Sequence, residues 1–124
     1  MANRIAWFEI PVSDPDRAQQ FYESIFDISM QRLPLGNEFV LILFPGQQDE
    51  VQGALAYHPD FYFPGNQGPL IYLNAEPSLD PVLKRVTESG HKILISKRQI
   101  SEERGFMAVI EDSEGNRIAL MSKN

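Results

Sequence analysis

The most suggestive chemical group in this sequence is a carboxylate beside an indole near the start of the chain. In a strand over these residues, alternation places Trp7 and Glu9 on one face, opposite Phe8 and Ile10. A carboxylate next to an indole in apolar surroundings loses hydration, which makes it a candidate general base or an anchor for a ligand amine or hydroxyl. An ion pair between Glu9 and a nearby arginine, fixing the sheet, is the structural alternative.

Other reactive side chains are sparse. The chain has no Cys, which excludes a disulfide framework, a thiolate zinc site and a cysteine nucleophile. The two histidines, His58 and His91, fall at the ends of predicted elements, where we do not expect a ligand role. In the charged segment 96–105, Lys97 or Arg98 could contact an anionic ligand group, although a solvated loop is the simpler interpretation.

Length and charge limit the class of protein. A chain of 124 residues with 43% hydrophobic and 23% charged residues is typical of one globular domain, which we place over residues 1–124. The net charge of −6 argues against nucleic acid and anionic membranes as partners. The longest apolar run, residues 39–44, is far shorter than the roughly 20 residues of a membrane helix. No signal peptide is recognisable, so a cytoplasmic location is expected.

Two hydrophobic periodicities alternate along the chain. Short apolar runs predict strands at residues 5–12, 38–44, 53–57, 70–74, 92–95, 106–111 and 117–121, with a weaker candidate at 28–33. Apolar residues at helical spacing predict two amphipathic helices, which open with Asp14-Pro15 and Asp80-Pro81. In both we expect the aspartate as N-cap and the proline at the first helical position, with Gly90 ending the second helix.

The two Asp-Pro pairs reveal an internal repeat. Each follows a strand and precedes a helix and three further strands, so the chain is a β-α-β-β-β unit written twice. The two modules span about 5–57 and 70–122, joined by a linker at 58–69 that is rich in Pro, Gly and aromatic residues. We expect the aromatic run 61–63 to cover an opening, to pack against a partner chain, or to tuck the linker onto its own sheet.

Two motifs connect this repeat with a known family. Residues 7–22 contain an apolar strand, Ser-Asp-Pro, and then Arg-Ala and Phe-Tyr pairs, while residues 111–116 read Glu-Asp-Ser-Glu-Gly-Asn. With the doubled module, they resemble the vicinal oxygen chelate superfamily of glyoxalase I, extradiol dioxygenases and bleomycin-resistance proteins, in particular its lactoylglutathione lyase relatives. Ser113 stands where that family usually has Pro. The resemblance implies an α+β fold whose modules form a curved, partly open eight-stranded cup.

The resemblance also implies positions for a divalent metal. Catalytic members hold the ion through His, Gln or Glu side chains on the module strands, where it acts as a Lewis acid. The matching positions here carry side chains that cannot coordinate a metal: Trp7, Ala54, Pro69 and Ala119. We therefore predict no bound metal or other cofactor. A divalent metal at a relocated site built from Glu9, Glu111 and one His is the alternative.

The cup face then suits a flat apolar or aromatic molecule with one or two polar groups. The residues predicted to line it are Trp7, Glu9, Tyr57, Tyr72, Arg117, Ala119 and Met121. The first hypothesis is a homodimeric small-molecule-binding domain without a metal, as the resemblance to bleomycin-resistance proteins implies. The second is a lyase, isomerase or dioxygenase with a relocated metal or Glu9 as base, and the third is a partner-binding adaptor. Pairing of the modules within one chain or between chains stays open.

Overall fold

The computed structural model describes residues 3–124 and contains the repeated module twice. The first module consists of β1 (Trp7–Pro11), α1 (Pro15–Phe26), β2 (Gln31–Gly36), β3 (Phe39–Leu43) and β4 (Gln52–Tyr57). The second consists of β5 (Ile71–Asn74), α2 (Asp80–Glu88), β6 (Ile93–Ser101), β7 (Gly105–Glu111) and β8 (Arg117–Ser122). The predicted α+β class and the doubled β-α-β-β-β order are confirmed. Across residues 3–124, neither helix is long and apolar enough to cross a lipid bilayer.

Each module builds its own four-stranded mixed sheet. The strand orders are β1-β4-β3-β2 and β5-β8-β7-β6, so both sheets are open, with β1 and β5 as edge strands. The first and last strands of each module are parallel, which places Glu9 opposite Ala54 and Tyr72 opposite Ala119. The helix and the two strands that follow it form the crossover connection that parallel neighbours require.

The helices cover one face of each sheet and leave the other without a helix. On the covered face, Ile10, Tyr22, Leu55 and Leu120 belong to one hydrophobic core that both modules share, and α1 packs against α2. We call the face away from the helices the open face. Because strand side chains alternate, every second residue of β1, β4, β5 and β8 lies on the open face.

The two helix starts differ, although both carry Asp-Pro. Asp14 caps α1 as predicted, since its side chain accepts a hydrogen bond from the Arg17 backbone N–H at 3.1 Å. At α2 the prediction is wrong: the N-cap is Leu79, and Asp80 lies inside the first turn, where its carboxylate binds Lys97. The Leu79 backbone N–H instead donates to the Ser122 hydroxyl at 2.9 Å. The end of β8 therefore provides an acceptor for the backbone N–H of the N-cap residue, while no side chain of the N-cap caps the helix.

Two predicted strands are shifted or extended in the structure. The segment interpreted as a loop after Ile95 continues as strand, so β6 reaches Ser101 and only residues 102–104 form the turn. Its charged side chains are compatible with a strand because β6 is an edge of its sheet, where charge discourages pairing with another chain. Strand β2 begins three residues later than predicted, after Asp27 ends α1 with a left-handed backbone.

The hairpin between β7 and β8 joins the modules through a buried hydrogen-bond network. The Asp112 carboxylate, 2% exposed, accepts from the Tyr22 hydroxyl at 2.6 Å and from the backbone N–H groups of Glu114 and Asn116. The Asn116 amide donates both to Asp112 and to the carbonyl of Pro11 at the end of β1. Burial raises the pKa of Tyr22 well above its ordinary value and also raises the pKa of Asp112. The predicted structural role of this hairpin agrees with these contacts.

A second carboxylate of the hairpin holds the start of α1. Glu114 accepts hydrogen bonds from the backbone N–H groups of Ser13 and Asp14, and it forms an ion pair with Arg17 at 2.8 Å. Burial alone raises the pKa of Glu114, but the Arg17 hydrogen bond and the backbone N–H groups outweigh it and lower the pKa to about 2. Glu114 is therefore ionised in the folded protein under conditions that protonate it in the unfolded chain.

This pKa difference predicts an acid-sensitive contribution to stability. Between pH 4.5 and about pH 2 the unfolded state binds the Glu114 proton and the folded state does not, so the free energy of unfolding falls as the pH falls. We expect Glu114→Gln to remove this part of the decline, as measured by urea unfolding from pH 6 to pH 2. Glu102→Gln, in the exposed turn after β6, is the control and should follow the wild-type profile. Parallel profiles for the wild type and Glu114→Gln would contradict this assignment.

Candidate functional site

A cleft lies between the edge strands of the two modules. Its volume is about 1060 Å³, and Trp7, Glu9 and Tyr72 are among its lining residues. Apolar side chains form much of its remaining wall: Phe8, Phe26, Ile28, Phe44, Leu73 and Val82. This volume is slightly above the range of roughly 300–1,000 Å³ that is typical of small-molecule sites. The structure thus brings together three predicted site residues that come from different modules.

The Glu9 carboxylate is held by two neutral donors. Its Oε1 accepts from the Tyr62 hydroxyl at 2.5 Å, and its Oε2 accepts from the Trp7 indole N–H at 3.2 Å. Within residues 3–124 no basic side chain forms an ion pair with Glu9, so the structure does not show the arginine partner considered above. Glu9 is therefore oriented by two hydrogen bonds and has no cationic partner among the described residues.

Tyr62 is a further residue of the site. It lies in the linker predicted from the sequence, but no contact between it and Glu9 was predicted. The hydrogen bond to Glu9 raises the pKa of Tyr62 to about 12, so its phenol stays neutral and can act as a donor. The Tyr62 ring also packs edge-on against Phe39 of β3 and against Phe61. The run of three aromatics in the linker was the available signal, since such a run is costly to expose.

The linker covers the first sheet only in part. Tyr62 lies on that sheet, whereas Phe61 and Phe63 remain 66% and 71% exposed. His58 at the start of the linker packs against Phe39, with ring centroids 4.1 Å apart. One aromatic of the run thus tucks the linker onto its own sheet, and two remain accessible.

A smaller pocket lies on the open face of the second sheet. Its volume is about 590 Å³, and its lining includes Tyr72, Arg98, Arg104, Met107 and Met121. Tyr72 belongs to both the cleft and this pocket, and 48% of its surface is exposed. The structure thus places two predicted residues, Tyr72 and Met121, in one concavity.

Ala119 lies beside this pocket without being exposed in it. It is fully buried and packs in a small cluster with Met107, Val109 and Leu70. The register places Ala119 next to Val109 on one side and Tyr72 on the other. Its small side chain therefore belongs to the floor of the open face, beneath the larger pocket-lining residues.

The other two predicted lining residues have different surroundings. Arg117 donates from Nη2 to the Gly68 carbonyl at 2.8 Å, which ties the linker to β8, and its Nε is buried without an acceptor in the described residues. Tyr57 packs against the shared core, because alternation along β4 puts it on the same face as Leu55 and opposite Ala56. The structure does not bring Tyr57 together with the open-face residues, contrary to the prediction.

The side chains present do not fit a divalent metal of the kind the resemblance implies. The matching positions hold Trp7, Ala54, Pro69 and Ala119, none of which offers a suitable donor. Within the described part of the chain, no three His, Asp or Glu side chains are close enough to hold an ion together. The relocated set of Glu9, Glu111 and one His is thus not assembled either.

Three solved structures show the same fold at low sequence identity. Glyoxalase I of Leishmania major, described as trypanothione-dependent, has a TM-score of 0.70 and 18% identity over 98% of this chain and 88% of its own. TnmS3, an antibiotic binding protein from Streptomyces sp. CB03234, has a TM-score of 0.66 and 20% identity over 99% and 98%. A member of the glyoxalase/bleomycin resistance protein/dioxygenase superfamily from Sphaerobacter thermophilus DSM 20745 has a TM-score of 0.67 and 23% identity over 98% of each chain.

The pairwise identities are too low to assign a family, but a family-wide sequence comparison does assign one. No curated protein sequence matches this chain. The family model described as the Glyoxalase/Bleomycin resistance protein/Dioxygenase superfamily, however, matches residues 4–120, nearly the whole chain. The chain therefore belongs to the glyoxalase/bleomycin resistance protein/dioxygenase superfamily.

Proposed function

We propose that this chain binds a small, largely apolar or aromatic molecule and does so without the superfamily metal. The observation that carries this proposal is the convergence of Trp7, Glu9 and Tyr72 on one apolar cleft of about 1060 Å³. Apolar walls provide binding energy in proportion to the area that they remove from water, roughly 25 cal/mol per Å². The Glu9 carboxylate and the Tyr72 phenol would orient polar groups of the ligand.

Two further observations support a binding role. A structural neighbour that covers nearly the whole chain, TnmS3, is an antibiotic binding protein. In addition, Glu9 has no cationic partner among residues 3–124, so a ligand amine or hydroxyl could supply a donor there. Such an arrangement of many apolar contacts and few polar ones is characteristic of small-molecule sites.

The proposal includes a cytoplasmic homodimer. The accessible surface of the chain is 7948 Å², whereas a compact monomer of 14.1 kDa has about 6,700 Å². Part of the excess is apolar, with Leu33, Leu35 and Ile95 exposed. A second copy of the chain would cover such surfaces and complete the walls of the cleft. The absence of Cys suits a reducing compartment.

A catalytic role is the second candidate, and the Glu9–Tyr62 pair favours it. A carboxylate and a neutral phenol joined by a 2.5 Å hydrogen bond could accept and donate a proton in an isomerase or lyase reaction. Dioxygenase chemistry is not supported by this pair, because it provides no group that activates oxygen. Turnover of a bound compound that Glu9→Gln reduces by about 100-fold or more would favour this candidate over simple binding.

A thermal-shift screen of metabolites and aromatic antibiotics tests the binding proposal. A ligand at 100 times its Kd stabilises the folded state by about 2.7 kcal/mol, which raises the Tm by several degrees. We expect Trp7→Ala to weaken binding of the same compound about tenfold, because it removes an aromatic wall of the cleft. Glu9→Gln should weaken the binding of compounds that carry an amine more than the binding of compounds that do not.

Leu94→Ala is the matched control for this screen. Leu94 is an exposed apolar residue of β6 that lines neither cavity, so its replacement should leave ligand affinity unchanged. If no compound shifts the Tm, the binding proposal fails and the hypothesis of a partner-binding adaptor is favoured. About one equivalent of Zn, Ni, Mn or Fe per chain, in protein purified without a nickel column, would contradict the metal-free part of the proposal.

A further inference from the structure

We infer that the pocket on the open face of the second sheet recognises the carboxylate of an aromatic ligand through Arg98 and Arg104. This inference rests on the proposed function, because it names a chemical group of the small molecule that the domain binds. It adds a second polar contact point, on the opposite module from Glu9.

Strand register places Arg98 in the pocket. Arg98 of β6 lies opposite Met107 of β7, and Met107 lies opposite Met121 of β8, so the three side chains form one row across the sheet. Lys97, the neighbouring candidate for an anion contact, is held on the helix side. Its amino group pairs with Asp80 of α2 at 3.0 Å and lies 4.7 Å from the centre of the Phe106 ring.

The second guanidinium comes from the turn between β6 and β7. Arg104 precedes Gly105, whose backbone runs against the backbone of Ser122 and Lys123. On its other side, the Arg104 backbone N–H donates to the Ser101 hydroxyl at 3.0 Å. The backbone that carries Arg104 is therefore held on both sides, although its side chain is exposed beside the pocket.

No ion pair among the described residues compensates the charge of these two arginines. Arg17, Arg32 and Lys97 each pair with a carboxylate, whereas neither Arg98 nor Arg104 forms an ion pair within residues 3–124. The chain nevertheless carries 17 acidic residues, so potential partners are abundant. Two like charges beside one pocket repel each other, and a bound anion would relieve that repulsion. The planar guanidinium group matches a carboxylate with two parallel hydrogen bonds.

The rest of the pocket suits an aromatic body. Tyr72 offers a ring from β5, and the thioethers of Met107 and Met121 adapt to flat apolar surfaces. The volume of about 590 Å³ is large enough for a bicyclic aromatic compound. Arginines beside an aromatic and thioether surface thus favour an aromatic acid over a neutral or cationic analogue.

Three probes with the same ring system test this preference: naphthalene-2-carboxylate, naphthalene-2-methanol and naphthalene-2-methylammonium. They differ in charge and little in shape, and their Kd values can be measured by calorimetry at low salt. We expect the carboxylate to bind about tenfold more tightly than the alcohol, because hydrogen bonds to a charged group are stronger than those between neutral groups. The ammonium compound should bind this pocket most weakly.

Substitution of the arginines should remove the preference. Arg98→Ala and Arg104→Ala should each weaken binding of the carboxylate about threefold, and the double variant should bind the carboxylate and the alcohol equally. Lys84→Ala on α2 is the control, because it removes one exposed positive charge that does not line the pocket, and it should change neither Kd.

Methionine methyl resonances locate the bound probe. With ¹³C-methyl methionine, the carboxylate should shift the signals of Met107 and Met121, while Met30, buried in the shared core, serves as the internal reference. Equal binding of all three probes, or an unchanged preference in the double variant, would overturn the anion inference and leave the proposed function intact. Failure of all three probes to bind up to millimolar concentration would count against the proposed function itself.

Discussion

Replacing Asp112 with alanine is expected to lower the free energy of unfolding by about 3–5 kcal/mol, because it leaves several buried donors without an acceptor. The carboxylate is 2% exposed and accepts from the Tyr22 hydroxyl, the Asn116 amide and two backbone N–H groups. Tyr22 belongs to α1 of the first module, and Asp112 to the hairpin of the second. The loss should therefore affect the contact between modules as well as the hairpin.

Urea unfolding of Asp112→Ala and of matched variants measures this loss. Asp49→Ala, in the exposed loop between β3 and β4, should change the free energy of unfolding by less than about 0.5 kcal/mol. Tyr22→Phe removes only the hydroxyl and should cost about 1–2 kcal/mol. The double variant should lose less stability than the sum of the two single losses, since both substitutions remove the same hydrogen bond. A loss below about 1 kcal/mol in Asp112→Ala would show that water replaces the carboxylate at little cost.

Local patterns predicted much of this fold because local forces determine those parts. The alternation of Phe8 and Ile10 with Trp7 and Glu9 is set by strand geometry, and the structure keeps it. Likewise, Asp14 caps α1 through a hydrogen bond from the backbone N–H of Arg17, only three residues further along the chain. The hairpin motif at 112–116 forms the predicted reversal, with Gly115 in the left-handed region.

The incorrect or incomplete predictions involve partners that are distant in the sequence. Asp80 has the same local context as Asp14, but α2 has its N-cap at Leu79, whose backbone N–H donates to Ser122, 43 residues away. Tyr62 reaches Glu9 across 53 residues, a contact that no periodicity encodes. The cleft and the pocket depend on such long-range placements, which is why the sequence predicted several lining residues but not their arrangement.

The second sheet depends on one glycine for the approach of two chain segments. At Gly105 the backbone has φ +79°, and an added Cβ would lie 2.2 Å from the Ser122 carbonyl oxygen and 2.7 Å from the Cα of Lys123. Both neighbours are backbone atoms of the last strand and its end, so they cannot turn aside as a side chain could. Any larger residue must therefore push β7 away from β8 at its first pair, Phe106 and Ser122.

Gly105→Ala is accordingly expected to destabilise the protein by about 3 kcal/mol or more, the sum of the left-handed backbone penalty and the clash. Gly115→Ala is the matched control, because it shares a positive φ of +84° but has open space around its Cβ, and it should cost only about 1 kcal/mol. Denaturant unfolding of both variants gives the comparison. Since Arg104 precedes Gly105, the shifted turn in Gly105→Ala should also weaken the binding of naphthalene-2-carboxylate, whereas Gly115→Ala should leave this binding unchanged. Equal losses of stability in the two variants would mean that φ alone sets the cost and that β7 and β8 separate freely at this point.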